Sequence, residues 1–321
     1  MKPDQARSDR LAAEITRSSS AQTYYTIRLL ADRALVPDAY RAYAYFRWVD
    51  DLLDGDSASP AERSAFIQRQ QHLLEDCYAR KAGKTWGEGP GETCPEERML
   101  VDLVAGDREP SSGLQSYLRS MMAVMAFDAG RRGRPISQAE LANYSRLLST
   151  AVTDALHHFI GHRAPAPHGE ACYLPVQGAH IIHMLRDWSE DCAAGYVNLP
   201  REIAEGAGLA CGDVADPAFR AWVRGRVRLA QQDFQAGRDY LAGNRCLRRR
   251  LACLAYISRF EWTAREIERG GYRLRAAYPE RKSPRAAAWM LWRTVSSLLR
   301  LRRAAADPRD LALQPVRPEE R

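Results

Sequence analysis

The stretch FRWVDDLLD, residues 46–54, places three carboxylates within five positions of a segment that is otherwise largely apolar and aromatic. The apolar residues around them recur with the spacing of an amphipathic helix, which predicts a helix over 36–56. Asp50 and Asp54 stand one turn apart on one face of this helix, and Asp51 lies beside them. Carboxylates crowded in this way repel one another unless a cation lies between them. The sequence therefore predicts a helix that carries a cation site.

Helical periodicity continues along nearly the whole chain, whereas the alternation typical of strands is absent. The pattern predicts a single-domain, all-α protein spanning residues 1–321. The first ~16 and last ~18 residues are expected to be peripheral, as chain ends often are. The predicted helices cover 8–35, 36–56, 60–80, 96–105, 112–127, 137–162, 172–192, 216–242, 245–271 and 285–303.

Composition narrows the possible partners. The net charge of +7 comes almost wholly from arginine, whose planar fork suits phosphate oxygens better than lysine does. These arginines alternate with 40 acidic residues instead of forming a basic stripe, so no nucleic-acid partner is predicted. Seven scattered cysteines without a CxxC pair, and an N-terminus without an apolar signal segment, predict a cytoplasmic protein with reduced thiols.

A second acidic segment, MLRDWSEDCAAGYVNLPRE at 184–202, repeats the pattern of the first. Asp187 and Asp191 again stand one turn apart, with Glu190 beside them. Mg²⁺ favours a few carboxylates together with water and substrate phosphates, so two facing acidic helices suit a diphosphate held through Mg²⁺. Either motif alone would be interpreted as a solvated face with ordinary salt bridges. Their recurrence favours a metal–diphosphate site.

Each acidic motif has an arginine beside it. Arg47 lies one turn before Asp50, with Tyr43 one turn earlier still, and Arg186 directly precedes Asp187. These arginines either neutralise the acids structurally or bind the phosphate of a leaving group.

At these residues the sequence resembles the squalene/phytoene synthase family. The segment YAYFRWVDDLLD (43–54) looks like the family's first aspartate-rich motif, and 184–202 looks like its second. The segments RSSSAQTYY (17–25) and ELANYSRLLSTAVTDAL (140–156) match its serine-rich entry and its mid-chain tyrosine helix. The resemblance implies a helical bundle around a central cavity, which is the class I isoprenoid synthase fold, together with bound Mg²⁺ and ionisation of an allylic prenyl diphosphate.

The resemblance also implies roles for single residues. The metal-binding positions would be Asp50, Asp54, Asp187 and Asp191, supported by Asp51 and Glu190. The phosphate contacts would be Ser18, Ser20, Arg47 and Arg186, with Tyr43 and Tyr144 lining the cavity near the diphosphate. The aromatic faces of Tyr24, Tyr25 and Phe46 would shelter a carbocation, although ordinary core packing explains such residues equally simply.

Histidines mark a departure from the family pattern. His180 and His183 stand where the family usually has glutamine and asparagine, on the same helical face as Asp187. Either is expected to contact diphosphate or to accept a proton, as neutral imidazole can. Thr153 and His157 likewise replace smaller or apolar groups that would line a second prenyl chain. A zinc site at His158 and His162 is a further alternative, but it lacks a third ligand in a recognisable pattern.

Two reactions agree with these features. In the family's usual reaction, two prenyl diphosphates join head to head through a cyclopropyl intermediate. In the other, the allylic cation alkylates a small-molecule aromatic acceptor of the carbazole or indole type. The polar, histidine-rich wall favours the aromatic acceptor. A third hypothesis, a catalytically silent family member that acts as a scaffold, is disfavoured because both acidic motifs are intact.

The segment 285–303 predicts a basic amphipathic helix with two tryptophans. In the simpler interpretation, its apolar side docks on the bundle and its arginines face solvent. In the other, the helix makes a weak peripheral contact with an anionic membrane surface.

Overall fold

The computed structural model describes residues 3–55, 58–83, 93–167 and 169–306. These residues form thirteen α-helices, and no β-strand occurs in the described ranges, which confirms the all-α prediction. The helices are α1 (Pro3–Ser19), α2 (Ala21–Leu30), α3 (Val36–Asp54), α4 (Pro60–Lys81), α5 (Pro95–Gly106), α6 (Gly113–Arg131), α7 (Gln138–Phe159), α8 (Leu174–Arg186), α9 (Trp188–Ala193), α10 (Arg201–Ala207), α11 (Pro217–Gly243), α12 (Leu247–Arg269) and α13 (Pro284–Ala306).

Two of the predicted helices are each divided in the structure. The predicted helix over 8–35 breaks at Ser20, whose extended backbone and side chain cap the start of α2. The predicted helix over 172–192 changes direction at Asp187, between α8 and α9. Hydrogen bonds from Asp187 N to His183 O (3.0 Å) and from Asp191 N to Asp187 O (2.8 Å) nevertheless preserve the four-residue spacing of the acids. The short helix α10 was not predicted.

The N-terminal residues differ from the expectation of a peripheral segment. Helix α1 packs against α3 and α5, with Ala12 and Thr16 fully buried. Arg41 of α3, itself buried, forms an ion pair with Asp9 of α1. A charged group in the interior is tolerated only with such a partner, so α1 is part of the folded bundle. Of the C-terminal residues expected to be peripheral, 307–321 lie outside the described residues.

The buried apolar residues form two clusters. The first joins α1, α3, α4, α5, α6 and part of α7, and the second joins α8, α9, α11 and α12. Helix α7 connects the clusters because it packs against α6 on one side and α8 on the other. The first acidic motif ends a helix of the first cluster, and the second motif ends a helix of the second cluster. The packing of α6, α7 and α8, together with the loop after α9, therefore brings the two motifs together.

The far end of α7 is fixed by a buried arginine of α12. The Arg249 guanidinium donates hydrogen bonds to the carbonyl oxygens of Ile160 (3.1 Å) and Gly161 (2.7 Å) just beyond the end of α7. Carbonyl groups at a helix C-terminus have no partner within the helix, so a cation placed there satisfies them. This contact fixes α7 relative to α12.

Helix α8 lies unusually close to α11 at Gly178. A Cβ atom at this position would lie 2.9 Å from Ala230 O and 3.0 Å from both the Asp233 Cβ and the Phe234 ring. Backbone and core atoms cannot withdraw by the necessary amount, so only glycine permits this approach. The contact sets the position of the helix that ends at Asp187.

We expect Gly178→Ala to destabilise the protein by about 1–3 kcal/mol, since the added methyl group overpacks the contact between α8 and α11. Thermal and urea unfolding followed by circular dichroism measures the change. Gly225→Ala is the matched control, because an added Cβ meets no atom within 4 Å at that position of α11. This control is expected to be neutral or stabilising by up to about 1 kcal/mol. Equal effects of the two substitutions would contradict the proposed role of Gly178.

Candidate active site

The first acidic motif ends α3 and is partly neutralised by its own arginine. The Arg47 Nη1 atom lies 3.3 Å from Asp50 Oδ2, and the same guanidinium forms an ion pair with Asp51. Burial and the neighbouring Asp54 raise the pKa of Asp50 to about 6. Two-fifths of the Asp50 side chain remains exposed, so solvent screening reduces this shift. Asp50 is thus a carboxylate held in an unfavourable environment.

The second motif is built in the same way at the junction of α8 and α9. Arg186 holds Asp187 through both oxygens, with Nε donating to Oδ1 at 2.6 Å. Burial alone would raise the pKa of Asp187, but these hydrogen bonds and the charges of Arg186 and His183 lower it. Burial and the charge of Asp187 raise the pKa of Asp191 to about 7. Each motif therefore has an arginine that pairs with its acids, and each still has one carboxyl group whose pKa is raised by burial and a neighbouring acid.

The loop after α9 connects the two motifs. The Tyr196 hydroxyl donates a hydrogen bond to Asp54 Oδ1 (3.2 Å), and Asn198 Nδ2 donates to Asp191 Oδ2 (2.9 Å). Asp54 ends α3 and Asp191 lies in α9, so this short loop contacts both acidic helices. The acids of the two motifs consequently lie on either side of this loop, and we refer to the space between them as the cleft.

A further acidic residue lies between the two motifs. Asp128 of α6 accepts hydrogen bonds from Arg131 Nε (2.6 Å) and from the Tyr144 hydroxyl (3.0 Å). Arg131 in turn donates to Asn198 Oδ1 (2.9 Å), and its guanidinium lies 4.9 Å from the Tyr144 ring centre and 5.0 Å from that of Tyr196. The charge of Asp128 helps to raise the pKa values of both Asp50 and Asp191. This network holds the Asp128 carboxylate and the loop after α9 in position between the two motifs.

Sequence reasoning did not identify Asp128, Arg131, Tyr196 or Asn198 as site residues. Tyr196 and Asn198 lie within the segment that follows the second motif, so closeness in sequence was a usable signal. Asp128 and Arg131 form an i,i+3 pair, which cannot be distinguished in sequence from an ordinary surface ion pair.

The two histidines of α8 lie on the cleft side of that helix. His180 is buried against the Tyr144 ring at 5.3 Å, and neither of its ring nitrogens has a hydrogen-bond partner among the described residues. Burial lowers the pKa of His180 to about 3, so this imidazole is neutral at pH 7. His183 is half exposed, with Nε2 3.3 Å from Asp187 Oδ2. Burial and Arg186 lower its pKa, although solvent screening reduces the effect.

The serine-rich segment reaches the cleft through Ser20. The Tyr43 hydroxyl lies within hydrogen-bonding reach of Ser20 and Thr23. Burial and, more weakly, the charge of Asp50 raise the pKa of Tyr43, while the charge of Arg47 lowers it. This places the start of α2 beside the arginine of the first motif. Ser18 is exposed instead, and its hydroxyl donates to Ile15 O within α1 (3.0 Å).

The other residues named from the sequence lie away from this cluster of acids. Tyr24 stacks on Tyr40 at 5.1 Å, and Tyr25, half exposed, meets the edge of Tyr24. Phe46 is buried against Tyr117 in the first core cluster. Thr153 is buried on α7, and His157 Nε2 lies 3.3 Å from the Tyr240 hydroxyl. Along α7, His157 stands thirteen residues, or roughly 20 Å, beyond Tyr144.

The acids surround the cleft without forming a closed cage. Among the described residues, no group of three or more His, Cys, Asp and Glu side chains is arranged to hold a metal ion by itself. This openness fits a hard cation that keeps several water molecules and binds substrate phosphate, as Mg²⁺ does. The raised pKa values of Asp50 and Asp191 also fit a bound cation, because a positive charge nearby would offset both the burial and the repulsion that raise them.

Comparison with known proteins agrees with this geometry. The family model for squalene/phytoene synthase matches residues 16–306. Presqualene diphosphate synthase of Zymomonas mobilis is 25% identical over 241 residues, which cover 73% of this chain and 75% of that protein. Phytoene synthase 3 of Zea mays is 26% identical over 234 residues, which cover 68% of this chain and half the length of that protein.

Solved structures agree on the fold. The squalene synthase HpnC from Alicyclobacillus acidocaldarius superposes with a TM-score of 0.63 at 20% identity, over 86% of this chain and 98% of that one.

The fold and the paired acidic motifs define a class I isoprenoid synthase. The chain belongs to the squalene/phytoene synthase family, which confirms the resemblance seen in the sequence. It is a transferase that acts on prenyl diphosphates.

The crowded acids predict a pH-dependent stability when divalent ions are absent. A carboxyl group with a raised pKa in the folded state stabilises the protein at low pH, and that stability is lost as the pH rises through the folded-state pKa. For Asp191 this interval runs from about pH 4 to 7. In EDTA, we therefore expect the free energy of unfolding of Asp191→Asn, relative to that of the wild type, to increase by about 1–2 kcal/mol when the pH rises from 5 to 8.

Thermal unfolding at the two pH values measures this difference. Asp239→Asn is the control, because it removes an exposed carboxylate of α11 outside the cleft and should show no such pH-dependent gain. An Asp191→Asn protein that loses stability relative to the wild type at pH 8 would contradict the predicted repulsion.

Proposed function

We propose that this protein catalyses the Mg²⁺-dependent head-to-head condensation of two prenyl diphosphates. The carbon–oxygen bond of one allylic diphosphate breaks, and the diphosphate leaves with the electron pair. The double bond of the second prenyl diphosphate attacks the resulting allylic cation, and loss of a proton closes a cyclopropane ring. The product retains one diphosphate group and leads to squalene- or phytoene-type hydrocarbons.

The observation that carries this proposal is the pairing of two arginine-flanked acidic motifs across one cleft, joined by the hydrogen bond from Tyr196 to Asp54. Asp50 and Asp54 on one side, and Asp187 and Asp191 on the other, would hold Mg²⁺. The bound ions would stabilise the negative charge that develops on the departing diphosphate.

The chain's own cations supply a second source of charge stabilisation. Arg186, Arg259 and Arg281 lie close enough together that burial and the charges of the other two lower the pKa of Arg259. Three guanidinium groups around the single carboxylate of Asp187 leave positive charge available for an anion. On the opposite side, Arg47 and the Tyr43–Ser20 contact offer donors to the other end of the same ligand.

The aromatic and neutral groups of the cleft suit the carbocation. Tyr144 presents its ring beside His180, and His180 stays uncharged, so neither repels a developing positive charge. The half-exposed imidazole of His183 is placed to accept the proton that is lost when the carbon–carbon bond forms.

The two candidate acceptors are not equally supported. The histidines favoured an aromatic acceptor in the sequence analysis, but presqualene diphosphate synthase and phytoene synthase are named for products of prenyl diphosphate coupling. The comparisons therefore support the alternative that was considered there, head-to-head condensation, better than aromatic prenylation. Transfer to an indole or carbazole remains the second candidate, and it rests on the polar side chains Thr153, His157, His180 and His183.

Loss of one acid from either motif should abolish most of the activity. We expect Asp50→Asn and Asp187→Asn each to slow diphosphate release by roughly 100-fold or more, since each removes a carboxylate that positions the cation on the leaving group. Diphosphate release from prenyl diphosphate in Mg²⁺ provides the rate. Asp239→Asn, an exposed carboxylate of α11, should keep the wild-type rate. Undiminished turnover in EDTA would remove the basis of the proposal.

The two acceptors are distinguished by supplying labelled prenyl diphosphate alone. Head-to-head condensation predicts a product that contains two prenyl chains without any added acceptor. We expect His183→Asn to slow coupling by roughly 100-fold, because it removes the proposed base, whereas coupling retained within about tenfold would assign the proton to the released diphosphate instead. Formation of only prenyl alcohol from the diphosphate alone, with alkylation once an indole is added, would favour the aromatic acceptor.

A further inference from the structure

Helix α13 packs on the bundle through small and polar side chains and through two larger apolar ones: Trp289, whose ring lies 5.5 Å from that of Trp262 of α12, and Leu298, which packs on the second cluster. Its fully covered positions are Ala286, Thr294 and Ser297. Thr294 Oγ1 donates to Ser258 Oγ of α12 (3.2 Å), and Arg293 forms an ion pair with Glu261 (3.2 Å). Hydroxyl groups and an ion pair therefore make up much of the inner side of this helix.

The outer side of α13 is apolar. Leu291 is 67% exposed, Trp292 59%, Val295 44% and Leu299 50%. Val295 follows Leu291 and Trp292 by four and three positions and precedes Leu299 by four, so these residues form one continuous stripe along the helix. The simpler expectation from the sequence, that the apolar side docks on the bundle, is thus reversed for these residues.

The charge of α13 is of one sign. The helix contains five arginines and no acidic residue, in a chain whose net charge is +7. Arg285 and Arg300, near the two ends of the stripe, are exposed. A helix with an outward apolar face and flanking cations has the features of a segment that lies in the interface of an anionic bilayer.

We propose that the stripe formed by Leu291, Trp292, Val295 and Leu299 docks the protein on the surface of a membrane that contains anionic lipids. The helix would lie parallel to the surface, with its apolar side chains among the acyl chains and Arg285 and Arg300 at the headgroups. Among the described residues, no helix is long and apolar enough to span a bilayer, so the contact is peripheral. This proposal does not depend on which prenyl acceptor the enzyme uses.

A second copy of the chain is a poorer occupant of this surface. The stripe is about 12 Å long and about 10 Å wide, so it presents roughly 120 Å² in projection. A stable protein interface needs about 800 Å² from each partner. Two such helices would also bring their arginines together without an acidic residue on either to neutralise them. Anionic lipid headgroups supply the missing negative charge.

Vesicle flotation with the full chain tests the proposal. We expect the protein to float with vesicles of phosphatidylcholine and phosphatidylglycerol, and to remain in solution with phosphatidylcholine alone. The double variant Trp292→Gln/Leu299→Ser should reduce the bound fraction at least about tenfold, because burial of these two side chains supplies most of the apolar contact. Arg285→Gln/Arg300→Gln should reduce binding to anionic vesicles, as should raised salt.

Matched controls make the result specific to α13. Leu29→Ser removes a comparably exposed leucine from α2, and Arg10→Gln removes an exposed arginine from α1, and both should bind like the wild type. Circular dichroism melting confirms that the variants fold, as expected for exposed positions. The proposal is overturned if the wild type ignores anionic vesicles, or if Leu29→Ser weakens binding as much as the α13 variant. Sedimentation without lipid gives the other decisive result, since a dimer lost in Trp292→Gln/Leu299→Ser would make the stripe a contact between copies.

Discussion

Repulsion between carboxylates held on two helix ends is the constraint on which the cleft depends. Burial and a neighbouring aspartate raise the pKa values of Asp50 and Asp191, and the nearby arginines Arg47 and Arg186 do not cancel this rise. A folded protein keeps such groups together only when burial elsewhere offsets their cost. Here the two apolar clusters and the connecting helix α7 provide that burial.

The supporting network explains how the acids keep their positions. Asp128 is partly buried, and Arg131 and Tyr144 each donate a hydrogen bond to one of its oxygens. Arg131 also contacts Asn198 and the Tyr196 ring, so a single guanidinium connects α6, α7 and the loop after α9. Buried polar networks of this kind are stable only when each member has its partners. The loop that bridges the two motifs is therefore held in position by Arg131 as well as by its own hydrogen bonds to the acids.

The sequence predicted the features that depend on local spacing. The four-residue intervals identified both acidic motifs, and helical periodicity gave the all-α class and most helix positions. Features that depend on tertiary neighbours were missed: Asp128 looks like any acid near an arginine, and the break at Ser20 requires a cap that periodicity does not reveal. Periodicity also shows that α13 has an apolar side, but whether this side faces solvent depends on the side chains of α12 that pack against the helix.

The division of the buried residues into two clusters gives the cleft an unusual sensitivity. Since the acidic motifs belong to different clusters, their relative position depends on how α7, α8 and the loop after α9 are docked, more than on the formation of any single helix. Regions of a protein open separately, with free energies that range from near zero to that of global unfolding. A slight sub-global separation of the clusters would thus disperse the catalytic groups while almost all helical structure persisted. Enzymatic activity is therefore a more sensitive measure of native tertiary structure in this protein than helical content is.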